Sequence, residues 1–282
     1  MDLVIRSDRL ISLISLGWWF GLYSGGGDDC WRKAGKDAVK ILQESEDLEE
    51  NIDGQQKKEE LYKMYWNHYT RVMSTIHAVG CVILSVIYIY LHYPNFLEFD
   101  FNRIDDSACK LMFITCAWMV SYLLIDLLFM ITEKTEDNPG MWIIHHVLGI
   151  IGMFCFAYYG ILGYKGIYYA LTEVTTIFIN ISWFMIKSKS NEKGLGKIIF
   201  LILGGLAWLL WLIVRVGGIP ILIWLVIRDF DLIVELSIFE IFMVFIANPI
   251  IYLLNVIWFF KLTLVVFGLK SIEQMDQKEK KE

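Results

Sequence analysis

The sequence predicts an all-α polytopic membrane protein: a six-helix core plus one N-terminal transmembrane helix, seven spans in all. Three observations carry that prediction. Of the 282 residues, 56% are hydrophobic and only 20% charged, and the mean hydropathy is +0.51; a water-soluble domain of this length needs a more charged surface to stay dispersed. Apolar stretches recur at the length of about 20 residues that carries a helix across the hydrocarbon core. Between them the connections are short and polar.

Arg6 and Arg9 precede an apolar stretch from Leu10 to Tyr23. No small-residue cleavage pattern follows, so residues 1–24 read as a retained transmembrane or anchor helix rather than a signal peptide. Residues 25–70 form a polar segment. Within it Trp31, Ala34, Ala38, Ile41 and Leu42 repeat at helical spacing, which predicts an amphipathic helix lying on the membrane surface. The stretch from Glu44 to Glu60 is nearly all polar and reads as a solvated loop. Six apolar segments follow at roughly 72–93, 109–131, 142–163, 166–187, 198–227 and 236–266, within a transmembrane domain of residues 71–268. A charged tail, 269–282, ends the chain. Pro220 and Pro249 fall inside segments, where neighbouring helices satisfy the carbonyls that a proline frees, so both predict kinks. Cys81, Cys109, Cys116 and Cys155 lie in or beside apolar runs, with no CxxC or disulfide spacing. They read as small apolar residues.

Charge then orients the chain. Seven spans place the 25–71 segment, the turn near Lys134, the Lys187–Lys197 connection and the tail on one side, which is rich in Lys and Arg. The opposite side holds only Arg6, Arg9, Arg103, Lys110, Lys165 and Arg228. The positive-inside rule makes the lysine-rich side cytoplasmic. The run Lys278, Glu279, Lys280, Lys281, Glu282 has the form of a dilysine retrieval signal, which favours the endoplasmic reticulum; a mitochondrial inner membrane is the alternative. With a net charge of −6 and no basic patch interleaved with aromatics, nothing points to nucleic acid.

Ionisable residues within the spans demand an explanation, because each costs about 2.5–3.5 kcal/mol on insertion scales. His77, Asp126, His145, His146, Glu173, Arg215 and Lys261 fall in this class, with Thr176, Asn180, Asn248 and Asn255 as uncharged company. Asp126 and the two histidines lie one or two turns from the connection around Glu133 to Pro139, hence at similar depth on adjacent helices. His77 enters from the same side. Glu173, Thr176 and Asn180 share a helix face by their spacing of three and four, as Asn248 and Asn255 do at seven. Arg215 lies at the depth of Glu173 and is its counter-charge by position. Two readings stay open: an interhelical hydrogen-bond network, or a site in which Asp126 orients one imidazole as base or nucleophile. Adjacent histidines point about 100° apart on a helix, which disfavours a metal pair.

The sequence at these positions resembles the TLC-domain family, which groups ceramide synthases, translocon-associated lipid-linked proteins and small TLC-domain-containing proteins. The resemblance is carried by Trp66, Asn67, Arg71, Ser74 and His77; by Tyr122 to Met130 around Asp126; and by Ile144, His145 and His146. Glu173, Thr175, Thr176, Asn180 and Trp183 continue it, and Asn255, Trp258 and Lys261 complete it. It is similar most of all to the small TLC-domain-containing branch. The resemblance implies six core helices around a lipid-sized cavity in an internal membrane. From the ceramide synthases it implies an acyl transfer in which His145 or His146 is nucleophile or base and Asp126 the orienting acid. Val147, Leu148 and Gly149 replace the polar continuation of that branch, and its downstream paired aspartates are absent.

The function expected is therefore lipid handling or homeostasis, with a membrane lipid or fatty acyl chain as the partner and no cofactor. Acyl transfer from acyl-CoA through the His-His pair is one alternative. A scaffold role among the subunits of a larger membrane complex is the other.

Overall fold

The structure is a computed structural model that describes residues 52–92, 106–132, 139–159, 163–228, 230–234 and 238–268. The expected anchor at Leu10–Tyr23, the surface helix at 31–42 and the tail lie outside the described residues. Among the described residues the chain is helical and contains no strand.

The longest helix, α1 (Ile52–Leu91), is followed by α2 (Asp106–Thr132), α3 (Gly140–Tyr159), α4 (Gly163–Thr172) and α5 (Val174–Lys187). Then come α6 (Gly194–Leu210), α7 (Gly218–Arg228), α8 (Phe230–Val234), α9 (Ile238–Phe242) and α10 (Asn248–Val266). Five stretches are long and apolar enough to cross a membrane: Trp66–Leu91, Lys110–Thr132, Lys165–Lys187, Gly194–Arg228 and Met243–Val266. A sixth, Gly140–Phe156, is apolar but shorter.

One expectation is corrected at the start of α1. The polar stretch Glu44 to Glu60 read as a loop, yet the chain is helical from Ile52 onward. Gln, Lys and Glu are all good helix formers, and a helix already nucleated in the membrane extends at little cost. Polarity there reports solvent, not loss of structure.

The packing is inverted relative to a soluble bundle. On α1 the buried face presents Met73, His77, Ala78, Cys81 and Ser85, whereas Ile76, Val79, Ile83, Val86, Ile87 and Tyr90 point outward. Lipid solvates the aliphatic face, so small and polar residues are left to hold helices together. α1 packs on α2, α4 and α5; α2 packs on α3 and α4; and α10 closes the bundle against α3 and α6. Close approach of α1 and α2 depends on Gly80, where a Cβ would stand 2.7 Å from the Trp118 indole. That indole donates to the backbone carbonyl of His77 at 3.1 Å.

Two segments widen into π turns, Trp211–Val216 and Met243–Ala247. Each lies directly upstream of a proline. Pro220 cannot donate to the carbonyl of Val216, nor Pro249 to that of Phe245. The helix responds by shifting its bonding to i−5, as in Gly217 N–H to Leu212 O at 2.7 Å. The irregularity at each proline thus takes the form of π bonding just upstream of it. A third break separates α4 from α5 at Glu173, whose N–H bonds back only three residues to Ala170.

Candidate functional site

Polar side chains surround one cavity of about 130 Å³, among them Glu173 and Arg215 from two of these irregularities. Of the expected site residues, His77, Asp126, His145, His146, Glu173, Thr176, Asn180 and Arg215 all line it.

Asp126 and His146 face each other across the α2–α3 packing, where two helices meet at similar depth. His146 Nε2 lies 2.8 Å from Asp126 Oδ2, and Nδ1 lies 2.8 Å from the carbonyl of Trp142. Nδ1 donates to the carbonyl, and Nε2 shares its hydrogen bond with the Asp126 carboxyl group, so both ring nitrogens of His146 are engaged.

Its neighbour differs. One residue earlier, the side chain of His145 is turned through about 100° and packs edge-on against Trp258, ring centroids 5.2 Å apart. Trp258 in turn stacks on Trp142 at 4.5 Å. Nδ1 of His145 is buried and has no hydrogen-bond partner. A buried ring nitrogen without a partner is an expensive feature to keep.

Arg215 occupies the first π turn and is buried. Its Nε donates to Thr175 Oγ1 at 2.9 Å and its Nη1 to Asn255 Oδ1 at 2.9 Å. Nη2 reaches the Thr172 carbonyl and Glu173 Oε1, both at 3.2 Å. The guanidinium also lies over the Trp211 ring, 4.5 Å from its centroid. Glu173 Oε2 accepts from Thr176 at 2.6 Å. The break at Glu173 exposes the Thr172 carbonyl, and Arg215 satisfies it. One buried cation thus ties α4, α5, α6 and α10 together.

Toward the lysine-rich end, Asn180 clamps α1 to α5 in both directions. Its amide donates to the Arg71 carbonyl at 3.3 Å and to Thr75 Oγ1 at 3.1 Å. Arg71 Nη1 donates back to Asn180 Oδ1 at 3.3 Å. His77 completes the wall, stacked on Tyr122 at 4.0 Å and 13°, with Nε2 3.4 Å from Cys81 Sγ.

Asn255 joins the site through Arg215, but its face-mate does not. Asn248 accepts from Tyr169 at 2.7 Å, in a separate cluster with Tyr252. The π turn just before Asn248 and the seven-residue spacing carry it too far along α10. Lys261 is half-buried on α10 outside the cavity lining. Thr172, Thr175, Arg71 and Ser74 belong to the site without having been singled out as site residues. Arg71, Ser74 and Thr175 were marked by the TLC resemblance, whereas Thr172 carried no signal, because threonine is common on membrane helices. Among the described residues no three His, Cys, Asp or Glu side chains converge as metal ligands.

The family model described as the TLC domain matches residues 67–264, more than two thirds of the chain. The chain belongs to the TLC-domain family. All the cavity residues named above fall inside the matched TLC region, and with the apolar helices they make this an integral, multi-pass membrane protein. No curated protein and no solved structure matches the chain at a significant level. In one respect this TLC domain departs from the expectation of a lipid-sized cavity. Trp142, Trp211 and Trp258 fill the space beside the histidines and leave about 130 Å³, close to the size that admits a benzene ring and below the usual range for whole ligands.

Proposed function

We propose that this TLC protein handles a membrane lipid by receiving its polar headgroup in the cavity while the chains stay in the surrounding bilayer. The observation that carries the reading is the concentration of two buried charge pairs and an unpartnered histidine nitrogen around a space of headgroup size. The aliphatic faces of the same helices point outward, where chains are already solvated. Asp126 and Glu173 supply carboxylates, and Arg71, Arg215 and three histidines supply basic groups, so both charges of a zwitterionic headgroup, or its hydroxyls, find partners there. The test is lipid retention: protein purified in mild detergent is examined by native mass spectrometry for bound lipid. Retention by wild type and at least ~tenfold loss in His145→Trp, which fills the cavity and corresponds to about 1.4 kcal/mol, supports the reading. Lipid-free protein, or equal retention in the variant, overturns it.

A second reading, acyl transfer, is favoured by one specific observation: the free Nδ1 of His145 beside a fully bonded His146. In the tautomer protonated on Nε2, the Nδ1 lone pair attacks the thioester carbonyl of acyl-CoA. The C–S bond breaks, the ring proton leaves with the thiolate as coenzyme A, and an acyl-imidazole remains. An amine then takes the acyl group as an amide and returns its proton to the ring. Asp126–His146 fixes the helix pair that presents His145. Labelled acyl-CoA should leave a hydroxylamine-sensitive adduct that His145→Gln abolishes; no adduct in wild type, or an equal one in the variant, rules the reading out.

A further inference from the structure

The lysine-rich end of the cavity carries a second arrangement. Arg71 lies six residues before His77 on α1, about 9 Å along the helix, and its side chain lines the cavity together with Ser74. Its guanidinium carbon stands 5.8 Å from the centroid of Trp183. Lys187 Nζ stands 5.6 Å from the same centroid, and the His68 ring meets that indole edge-on at 4.8 Å. Three basic side chains from two helices thus converge on one tryptophan. Solvation alone does not require this, since lysine and arginine at a helix end are free to extend into water. The two-way clamp with Asn180 holds Arg71 by both its backbone carbonyl and its guanidinium, so the cation is oriented before any ligand arrives. Guanidinium, ammonium and a serine hydroxyl are the donors that recognise phosphate oxygens.

We infer a phosphate subsite at the mouth of this end of the cavity, with Arg71 and Ser74 of the lining as cation and neutral donor, and the exposed Lys187, outside the lining beside the same indole, as the second counter-charge. The inference rests on the lipid-headgroup reading above and names the chemical class it selects. The phosphate arrives on a membrane phospholipid or on a soluble phosphate ester. With the phosphate at Arg71, the next group of a phospholipid headgroup points along α1 toward His77 and His145. Trp183, shared by both cations, keeps them near each other at an interface where they would otherwise repel.

The experiment uses full-length protein in nanodiscs made with matched lipid pairs that share their acyl chains: phosphatidic acid against diacylglycerol, and sphingomyelin against ceramide. Native mass spectrometry of the ejected protein reads retained lipid. Wild type should keep the phosphate-bearing member of each pair about tenfold more than its partner, the ratio expected for one charge-assisted contact of ~1.5 kcal/mol. Arg71→Gln with Lys187→Gln should bring the ratio close to one, and Arg71→Lys should restore part of it. Inorganic phosphate that strips lipid from wild type assigns the subsite to phosphate from either source; lipid that stays bound assigns it to the phospholipid. Equal retention of both members of each pair by wild type, or an unchanged ratio in the double variant, overturns the phosphate subsite and leaves headgroup binding standing. Wild type that retains no lipid of any kind overturns headgroup binding itself. Because Arg71 also binds Asn180, Lys187→Gln alone, which leaves that clamp intact, must lower the ratio as well.

Discussion

Arg215 and Glu173, 42 residues apart, meet with Nη2 and Oε1 at 3.2 Å, and each occupies a place where its helix departs from α geometry. The correspondence is physical. A break frees a carbonyl or widens a turn, and in a membrane interior the freed group must find a partner in protein. Arg215 supplies it at the Thr172 carbonyl and gains a counter-ion one residue on. Local irregularity and buried charge are one feature seen from two helices.

Breaking this pair should be costly. Glu173→Gln leaves the guanidinium buried without its carboxylate, at roughly 3–5 kcal/mol, which lowers the thermal midpoint by ~6–15 °C at this chain length. Arg215→Met together with Glu173→Leu should recover much of that loss, because neither charge then stays uncompensated. Melting curves in one detergent check both; a double variant no better than Glu173→Gln contradicts the account.

The two histidines should separate in the opposite sense. Asp126→Asn and His146→Gln each lose a 2.8 Å bond, and a double-mutant cycle should give a coupling of about 1–3 kcal/mol. His145 makes no hydrogen bond through Nδ1, so His145→Gln should hold stability within about 1 kcal/mol of wild type while lipid retention falls. A large stability loss on changing His145 would reverse their assigned roles.

Gly80→Ala probes the α1–α2 contact. Its new methyl would press on Trp118 and disturb the bond from that indole to His77. Overpacking of this kind costs ~1–3 kcal/mol. Trp118→Phe in the same background should relieve the pressure, and a sum of the two single effects in the double variant would disprove the contact.

Tyr169→Phe is the matching control. It removes the bonds to Asn248 and Tyr252 and should destabilise by about 1–3 kcal/mol, leaving lipid retention at the wild-type level. Lost retention would mean that this cluster communicates with the cavity.

Much of this was legible in the residues. Charges within apolar runs mark themselves, because lipid makes each one expensive, so Asp126, His145, His146, Glu173 and Arg215 stood out without coordinates. The TLC resemblance fell on the same segments that the family model matches. Connectivity was harder to read. Thr172 and Thr175 take part through a backbone break that no local propensity announces, and the role of Arg71 depends on Asn180, 109 positions away. Asn248 and Asn255 share a face by spacing, yet they serve different clusters because depth along the helix, not angle, separates them. Trp142, Trp211 and Trp258 line the cavity and limit it by their bulk, a role that residue type alone does not announce.

The length of α1 has a mechanical consequence. Its 40 residues make a continuous rod of about 60 Å, twice the hydrocarbon thickness of about 30 Å. One end stands clear of the spanning segment that starts at Trp66, and Arg71, Ser74 and His77, near the middle of the rod, stand in the cavity wall. Force applied to the outer arm acts with leverage on those side chains, so the helix that walls the cavity is also its handle.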